Sequence, residues 1–272
     1  MPRIDFESLL KAEIIKSCGH DQFRSDVRIS NFYLPNVPDR HVETVPFYYV
    51  HSAFPAASDA VFFGPDTYLF VTFLQNIAHH FPDELNFVVD VCCGSGAGAI
   101  HMWRTHPEAK VCGLDLNPSA LKLGYINAQI AGAEVSFYES NLFASIPQDS
   151  KSEGVDLIVS NPPYIASSTD GQDLPIYADG GAGFGLDISF RIVELGVKLL
   201  SSRGLIVLYT GVAIPVSEPG YDPLLNMLKK VPSVELVEYT VLHPDMWSEE
   251  IGKGAYAEVG RIQVIGAVLK KK

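Results

Sequence analysis

The chain has 272 residues, of which 20 are Lys or Arg and 32 are Asp or Glu, so its formal net charge is −12. Hydrophobic residues make up 47% of the composition and charged residues 19%, which is enough apolar surface to bury a large core and excludes a globally disordered chain. The acidic balance argues against tight non-specific binding to nucleic acid, because phosphates repel such a surface.

The first 60 residues have an irregular pattern. Residues 4–18 place apolar side chains on one face and predict a short amphipathic helix. Residues 27–34 and 42–51 alternate like edge strands or a hairpin, with prolines between and within them. We therefore predict a small N-terminal region over residues 1–60, a candidate lid or substrate region, ahead of a larger domain over residues 61–272.

From about residue 86 onward, apolar strand-like runs alternate with helical stretches. Strands that are apolar throughout and separated by helices indicate a parallel sheet covered on both faces. Only a loop joins the last two predicted strands, so they are free to pair antiparallel. We predict an α/β fold with a seven-stranded, mostly parallel sheet whose last strand is antiparallel. The predicted strands are residues 87–91, 110–114, 134–138, 155–160, 204–209, 234–242 and 261–269, and the predicted helices are 98–105, 118–131 and 188–200.

A glycine-rich turn follows the first of these strands. Residues 88–98 read Val-Val-Asp-Val-Cys-Cys-Gly-Ser-Gly-Ala-Gly, with Asp90 in the strand and Gly94, Ser95 and Gly96 in the turn. Glycines let a ligand approach the backbone closely, and the following helix N-terminus offers free N–H groups. The turn alone does not identify the ligand, because dinucleotide-binding folds use similar turns.

The next two strands also end in polar side chains. Asp115 ends the second strand, where its carboxylate can accept both hydroxyls of a ribose or cap the following helix, and Leu116 comes next. Asn141 and Leu142 follow the third strand. Asn141 is a candidate partner for the edge of an adenine, and Leu142 for its face.

The fourth strand is followed directly by Asn161-Pro162-Pro163-Tyr164. This is the carboxyl edge of the sheet, where open α/β folds bind ligands. The two prolines stiffen the loop and lack N–H groups, so the Asn161 side chain and the Pro162 carbonyl present acceptors. Two acceptors that face one point suit an –NH2 group, and Tyr164 offers a flat face to a planar amide or base.

In this order, the four segments resemble those of class I methyltransferases that use S-adenosylmethionine, in the Asn-Pro-Pro-Tyr branch. That branch contains adenine-N6, guanine-N2 and protein-glutamine-N5 methyltransferases, and the sequence is most similar to the glutamine enzymes that modify release factors. Residues 140–143, 156–165 and the glycine-rich segment 178–187 add to the likeness. The resemblance implies a Rossmann-like fold and no metal. It implies cofactor contacts by Asp90, Gly94, Ser95, Gly96, Asp115, Leu116, Asn141, Leu142 and Asn161, catalytic roles for Asn161, Pro162 and Tyr164, and acceptor contacts by Pro163 and Tyr164.

Several residues depart from that family. Cys92 stands where the first glycine of the turn is usual, Asn141 replaces an Asp, and the run Leu208-Tyr-Thr-Gly211 stands where a glutamate is usual. The first 60 residues do not resemble the family's helical substrate-docking domain. We therefore expect the acceptor to be either a protein glutamine side chain or a small molecule with a planar amide or amine.

Two other functions stay open. A nucleic-acid amino methyltransferase is disfavoured by the net charge, and a basic cleft near Arg24, Arg28 and Arg40 would favour it. A catalytically silent methyltransferase fold that acts as a scaffold subunit is disfavoured by the intact Asp115 and Asn161. The sequence does not decide whether an activator subunit is needed.

Other features concern the pocket's surroundings and the compartment. The aromatic residues at positions 47–73 either pack in the core or cover the acceptor, and the loop 243–247, with Trp247, either borders the pocket or is only anchored by that side chain. The four cysteines form no CxxC pair, which favours reduced thiols in a cytoplasmic protein. The sequence has no apolar run of about 18 residues, so we expect no membrane span, and the N-terminus lacks the layout of a signal peptide.

Overall fold

A computed structural model describes residues 7, 10, 15–32, 47–54, 57–147, 154–167 and 174–272. The helices are α1 (Pro65–Asn76), α2 (Ala97–Thr105), α3 (Pro118–Ala131), α4 (Asp187–Gly196) and α5 (Pro223–Leu228), with a single turn at Ala182–Gly185 and 3₁₀ turns at Ala78–His80, Ser248–Glu250 and Gly254–Tyr256. The strands are β1 (Ile15–Gly19), β2 (Gln22–Ser25), β3 (Val27–Phe32), β4 (Phe47–Ser52), β5 (Phe87–Val91), β6 (Lys110–Asp115), β7 (Val135–Glu139), β8 (Val155–Ser160), β9 (Ile165–Ala166), β10 (Asp179–Gly181), β11 (Leu200–Pro215), β12 (Val234–His243) and β13 (Val259–Lys271).

Seven strands form the central sheet, in the order β12-β13-β11-β8-β5-β6-β7. The five strands from β11 to β7 run parallel to one another, whereas β13 lies between β11 and β12 and is antiparallel to both. The predicted seven-stranded, mostly parallel sheet with an antiparallel last strand is therefore confirmed.

The sheet is covered on both faces because successive side chains of its buried strands point to opposite sides. In β8, Leu157 and Val159 join one apolar cluster, whereas Ile158 joins the other. Phe70 of α1 and Ile100 of α2 pack in the first cluster, and Ile192 of α4 packs in the second. This layering leaves the carboxyl ends of the strands as the exposed edge where loops meet.

Local signals explain where the helices begin and end. Asn117 accepts a hydrogen bond from the Ser119 N–H at 2.9 Å and caps α3, with Pro118 at its first position. The prediction over 118–131 is confirmed. The prediction over 188–200 is wrong at its end, since α4 stops at Gly196 and Leu200 already belongs to β11.

Two strand predictions need correction. The third strand is shifted by one residue, to Val135–Glu139. The predicted strand 204–209 is too short, because β11 continues to Pro215 and pairs with β13 along its whole second half. A partner strand about 50 residues further along the chain is not visible in a local pattern, so sequence periodicity ended the strand too early.

Residues 7 and 10, within the predicted N-terminal helix, are helical, but the prediction is wrong at its end. Residues 15–18 belong to β1, which forms a hairpin with β2 through Gly19, His20 and Asp21, all at positive φ. Most of residues 1–14 lie outside the described residues. The predicted alternation at 27–34 and 42–51 is confirmed over β3 and β4, which pair antiparallel; residues 33–46 lie outside the described part.

The β3–β4 hairpin is hydrogen-bonded to the α/β unit. Asn127 in α3 accepts from the Val50 N–H at 2.7 Å and donates to the Val50 carbonyl at 3.0 Å. All four cysteines lie among the described residues and are free, with Cys93 and Cys112 buried. None of the helices in the described ranges is long and apolar enough to cross a bilayer.

Candidate active site

A cavity of about 510 Å³ opens at the carboxyl edge of the sheet. It brings together the ends of β5, β6, β7 and β8, which are far apart in the sequence. Of the predicted site residues, Gly96 alone does not line it; this residue is the N-cap of α2. The predicted residues that line the cavity are Asp90, Gly94, Ser95, Asp115, Leu116, Asn141, Leu142, Asn161, Pro162, Pro163 and Tyr164.

The turn after β5 is tied to the end of β6. The Gly94 N–H donates to Asp115 Oδ2 at 2.8 Å, and the Cys93 N–H donates to the Leu114 carbonyl at 3.1 Å. Cys92 has a φ of 59°, in the left-handed region that glycine adopts most easily. A non-glycine residue in this region costs about 1–2 kcal/mol, so the turn holds Cys92 in a strained conformation.

Asp90 stabilises the start of α2. Its Oδ2 accepts a hydrogen bond from the Ala99 N–H at 2.8 Å, which is one of the helix's otherwise unpaired amides. Complete burial raises the pKa of Asp90 to about 8, and the nearby charge of Asp115 adds to the rise. The carboxyl group is therefore largely protonated at neutral pH.

Asp115 is positioned by two backbone amides. Its Oδ1 accepts from the Asn117 N–H at 2.9 Å and its Oδ2 from the Gly94 N–H. Burial raises its pKa, while the amides lower it. A carboxylate has about four lone-pair sites, so each oxygen retains one for a ligand hydroxyl. Asp115 does not cap α3, because Asn117 has that role.

The third and fourth segments also meet at the cavity. Ser140 fixes the turn after β7 by donating to the Leu142 carbonyl at 2.7 Å, which leaves Asn141 exposed at the cavity. Asn161 is half-buried at the end of β8 and Pro162 is buried. The sequence reasoning therefore placed these segments at the same edge as the structure does.

The Tyr164 hydroxyl belongs to a buried network that the sequence reasoning missed. This hydroxyl donates to Asp66 Oδ1 and accepts from Trp247 Nε1 at 2.7 Å. Asp66 Oδ1 also accepts from the Tyr209 hydroxyl at 2.8 Å. Burial raises the pKa of Asp66, and the two tyrosine hydrogen bonds lower it. A Cβ on Gly211 would lie 2.3 Å from Tyr164 Cδ2, so only glycine fits beneath the ring. The network and this contact fix the orientation of Tyr164.

One sequence signal pointed toward this network. Tyr209 is the one residue with a side-chain hydroxyl in the apolar run 205–209, and a buried tyrosine usually has a hydrogen-bond partner. The identity of the partner was not readable, because Asp66 lies 143 residues earlier in the chain.

The remaining wall is largely aromatic. Phe62 and Tyr177 stack with their ring centroids 5.2 Å apart and an interplanar angle of 11°, and both line the cavity. Trp247 also lines it, so the loop 243–247 borders the pocket as well as being anchored. Of the aromatic residues at 47–73, Phe62 and Phe70 reach the cavity, whereas Tyr49 and Phe73 are buried in the core.

The described residues of the basic cleft considered from the sequence, Arg24 and Arg28, are not at the cavity. Arg24 Nε lies 3.6 Å from Asp26 Oδ1, and neither Arg24 nor Arg28 lines the cavity. Arg40 lies outside the described residues. Within the described part of the chain, the lining has five carboxylic acids and no Lys, Arg or His; the acids are Asp66, Asp90, Asp115, Asp179 and Glu250.

Comparison with known proteins identifies the segment that carries this site. A family model described as the methyltransferase small domain matches residues 67–174. Over these residues the chain is similar to that family. The matched segment includes the turn after β5, Asp115, Asn141 and Asn161-Pro162-Pro163-Tyr164.

Two curated relatives of this methyltransferase domain are named for protein glutamine methylation. The release factor glutamine methyltransferase of Bacillus anthracis is 30% identical over 188 residues, covering 64% of this chain and 66% of the relative. The ribosomal protein uL3 glutamine methyltransferase of Neisseria gonorrhoeae is 32% identical over 152 residues, covering 52% of this chain and 49% of the relative. The chain thus spans about half to just under two thirds of the length of these relatives.

A solved structure shares the methyltransferase fold. The Thermus thermophilus 16S rRNA N2 G1207 methyltransferase, in complex with AdoMet and guanosine, has a TM-score of 0.53 at 16% identity and covers 90% of this chain and 51% of that chain. At this identity the likeness concerns the fold alone. The predicted Rossmann-like class I methyltransferase fold is confirmed.

The residues present fit S-adenosylmethionine, the cofactor of class I methyltransferases. A Cβ built on Gly94 would meet no atom within 4 Å, so the turn after β5 faces open space. Ala97 and Gly98, the first residues of α2, line the cavity, and a helix N-terminus favours a carboxylate. The acidic lining suits the sulfonium and ammonium groups of the cofactor.

Proposed function

We propose that this protein is an S-adenosylmethionine-dependent N-methyltransferase whose acceptor is a planar amide or amino nitrogen, on a protein glutamine or a small molecule. The observation that carries the proposal is the shared cavity of the turn after β5, Asp115 and the Asn161-Pro162-Pro163-Tyr164 loop. A bound S-adenosylmethionine supplies an electrophilic methyl group. The residues of the chain bind it and orient the acceptor.

In this proposal, the β6 and β7 ends hold the adenosine. The free lone pairs of Asp115 accept the ribose hydroxyls, and Asn141 accepts from the adenine amino group. Leu116, which is 55% exposed, and Leu142 pack against the base. Gly94 and Ser95, with the start of α2, hold the amino acid end, close to Asp90.

The Asn161 side-chain oxygen and the Pro162 carbonyl accept hydrogen bonds from the two N–H groups of the methyl acceptor. The fixed Tyr164 ring lies against the plane of the acceptor's amide or amine group. An amide nitrogen is a weak nucleophile because its lone pair is delocalised, and holding both N–H bonds out of the amide plane localises that pair. The nitrogen forms the new N–C bond, the S–C bond breaks with its electrons going to sulfur, and one proton leaves the nitrogen for water. Alignment of this kind contributes several kcal/mol.

Two alternatives are less well supported. The rRNA enzyme of similar fold acts on nucleic acid, but the cavity lining described above has no basic residue that would neutralise a phosphate. A silent scaffold has no need for Asp115 and Asn161 in one cavity. We further propose that residues 61–272 form the catalytic domain and that residues 1–60 contribute to substrate binding or a lid.

The test is transfer of a labelled methyl group from S-adenosylmethionine into a cell lysate that is then fractionated into protein, nucleic acid and small molecules. We expect label in the protein or small-molecule fraction. Asn161→Ala should lower kcat by about 100-fold, because it removes an acceptor-orienting group, while the cofactor Kd changes little. A thermal melt controls for folding. Equal losses of turnover and cofactor affinity would contradict the role of Asn161.

A further inference from the structure

Aromatic rings from four separate parts of the chain line the cavity and form its aromatic end. Phe62 comes from the segment before α1, Tyr164 from the loop after β8, Tyr177 from the segment before β10 and Trp247 from the β12–β13 loop. Aromatic rings arranged around a pocket bind flat ligands by stacking, and they also attract cations over their faces.

These walls are fixed to the body of the protein. The Ile176 N–H donates to the Ser58 carbonyl at 3.0 Å, which brings the Tyr177 segment against the Phe62 segment. The β12–β13 loop is fastened by the Met246 N–H to the Ile262 carbonyl at 2.7 Å, in addition to the Trp247 hydrogen bond. The aromatic end is therefore a preformed pocket, which lowers the cost of binding a rigid ligand.

The charge of the pocket selects among ligands. Asp66 is engaged by the two tyrosines, whereas Glu250, beside Trp247, and Asp179, beside Tyr177, are the acidic groups of this end. No basic side chain lines the cavity within the described ranges. A phosphate would meet carboxylates in a partly desolvated site, where repulsion is stronger than in water.

We propose that the acceptor is a small aromatic amide or amine that carries no phosphate and is neutral or cationic, with its ring among Phe62, Tyr177 and Trp247. This inference rests on the proposed function and narrows its acceptor. The nitrogen of such an acceptor lies close to its ring, so the ring reaches the aromatic walls while Asn161 and Pro162 hold the N–H groups out of the ring's plane. The side chain of a protein glutamine is aliphatic and offers no ring to the outer faces of the stacked Phe62–Tyr177 pair or to Trp247.

The experiment compares four probes that share a carboxamide. Benzamide is neutral, 4-(aminomethyl)benzamide is cationic, 4-(phosphonomethyl)benzamide is anionic, and N-acetylglutamine methylamide is aliphatic. N-methylated products are quantified by mass spectrometry with the full-length protein and S-adenosylmethionine. We expect kcat/KM for the first two probes to exceed that for the aliphatic probe by at least about tenfold, the scale of one stacking contact. It should also exceed that for the anionic probe, because the phosphonate meets carboxylates in the cavity.

Binding is measured separately through tryptophan fluorescence. The chain has 2 tryptophans. The difference in fluorescence between the wild type and Trp247→Phe gives the signal of the tryptophan in the pocket. Tyr177→Leu should raise KM for benzamide by about tenfold while kcat and the cofactor Kd stay nearly unchanged. Glu250→Gln should reduce the preference for the cationic probe over benzamide about threefold, as expected for one partly exposed charge.

The outcomes separate the two proposals. Faster methylation of the glutamine amide or the phosphonate, or no quenching by either aromatic probe, overturns the aromatic acceptor and leaves the methyltransferase proposal intact. Absence of cofactor binding, or lysate labelling that does not depend on Asn161, overturns the proposed function itself. Quenching and methylation of the two benzamides, both weakened by Tyr177→Leu, support the inference.

Discussion

Asp90→Asn should flatten the dependence of stability on pH. The folded chain holds the proton on Asp90 up to a pKa of about 8, because the carboxyl group is completely buried. The unfolded chain releases this proton near the ordinary value of 3.8. Between these two values unfolding releases a proton, so each rise in pH favours the unfolded state. The contribution of Asp90 to stability is therefore complete below its pKa in the unfolded chain, and it is lost as the pH rises toward its pKa in the folded chain.

The size of the effect follows from the shift. One proton released on unfolding changes the free energy of unfolding by about 1.4 kcal/mol for each pH unit, which gives about 2.7 kcal/mol between pH 5 and pH 7. An asparagine does not titrate, and its side-chain oxygen still accepts from the Ala99 N–H. Asp66 and Asp115 also have raised pKa values, but they are present in both proteins and cancel in the comparison.

The assay is urea unfolding of both proteins at pH 5, 6 and 7, followed by circular dichroism. The wild type should lose about 2.7 kcal/mol more than Asp90→Asn over this range, with equal m-values. Parallel pH profiles would refute the reasoning, since they would mean that Asp90 is already ionised in the folded chain and that the helix amide outweighs burial.

Three further substitutions test other parts of the site. Gly98→Ala should lower the free energy of unfolding by about 1–3 kcal/mol in urea melts, because its Cβ would lie 2.7 Å from Oδ2 of the buried Asp90 carboxyl group. Gly220→Ala, whose Cβ would meet no atom within 4 Å, should change it little. At the strained position 92, Cys92→Gly should be more stable than Cys92→Ala by about 1 kcal/mol, and a more stable Ala variant would remove the claim of strain. Tyr209→Phe should cost about 1–3 kcal/mol in a thermal melt, since Asp66 loses a buried donor; an unchanged melting temperature would show that this hydrogen bond contributes nothing.

The regular part of the fold was predictable because its signals are local. β5 and β8 are short apolar runs whose predicted bounds, 87–91 and 155–160, agree with the structure. Pro118 marks the start of α3. The end of the predicted N-terminal helix was wrong because the apolar spacing also suits a hairpin, and the turn at Gly19 and His20 places residues 15–18 in a strand.

The candidate site was predictable where each residue follows a strand, because parallel strands present their carboxyl ends at one edge. Asp115, Asn141 and Asn161 therefore meet as expected. The network around Tyr164 was not predictable in the same way. Its partner Asp66 looks like an ordinary acidic residue in the first turn of a helix, and only the tertiary packing brings it under two tyrosines.

The position of β13 between β11 and β12 has a consequence for the order in which the protein is made. Among the strands of the central sheet, β5 to β8 leave the ribosome first and can pair with one another. This half of the sheet, which carries the proposed cofactor site, is therefore able to form early. Until β13 is synthesised, one long edge of β11 has no strand to pair with, and an unpaired strand edge favours aggregation. The loop that carries Trp247 is fastened to Ile262 in β13, so the acceptor wall forms only when this strand is in place. A nascent chain would thus acquire its cofactor half before it can hold an acceptor.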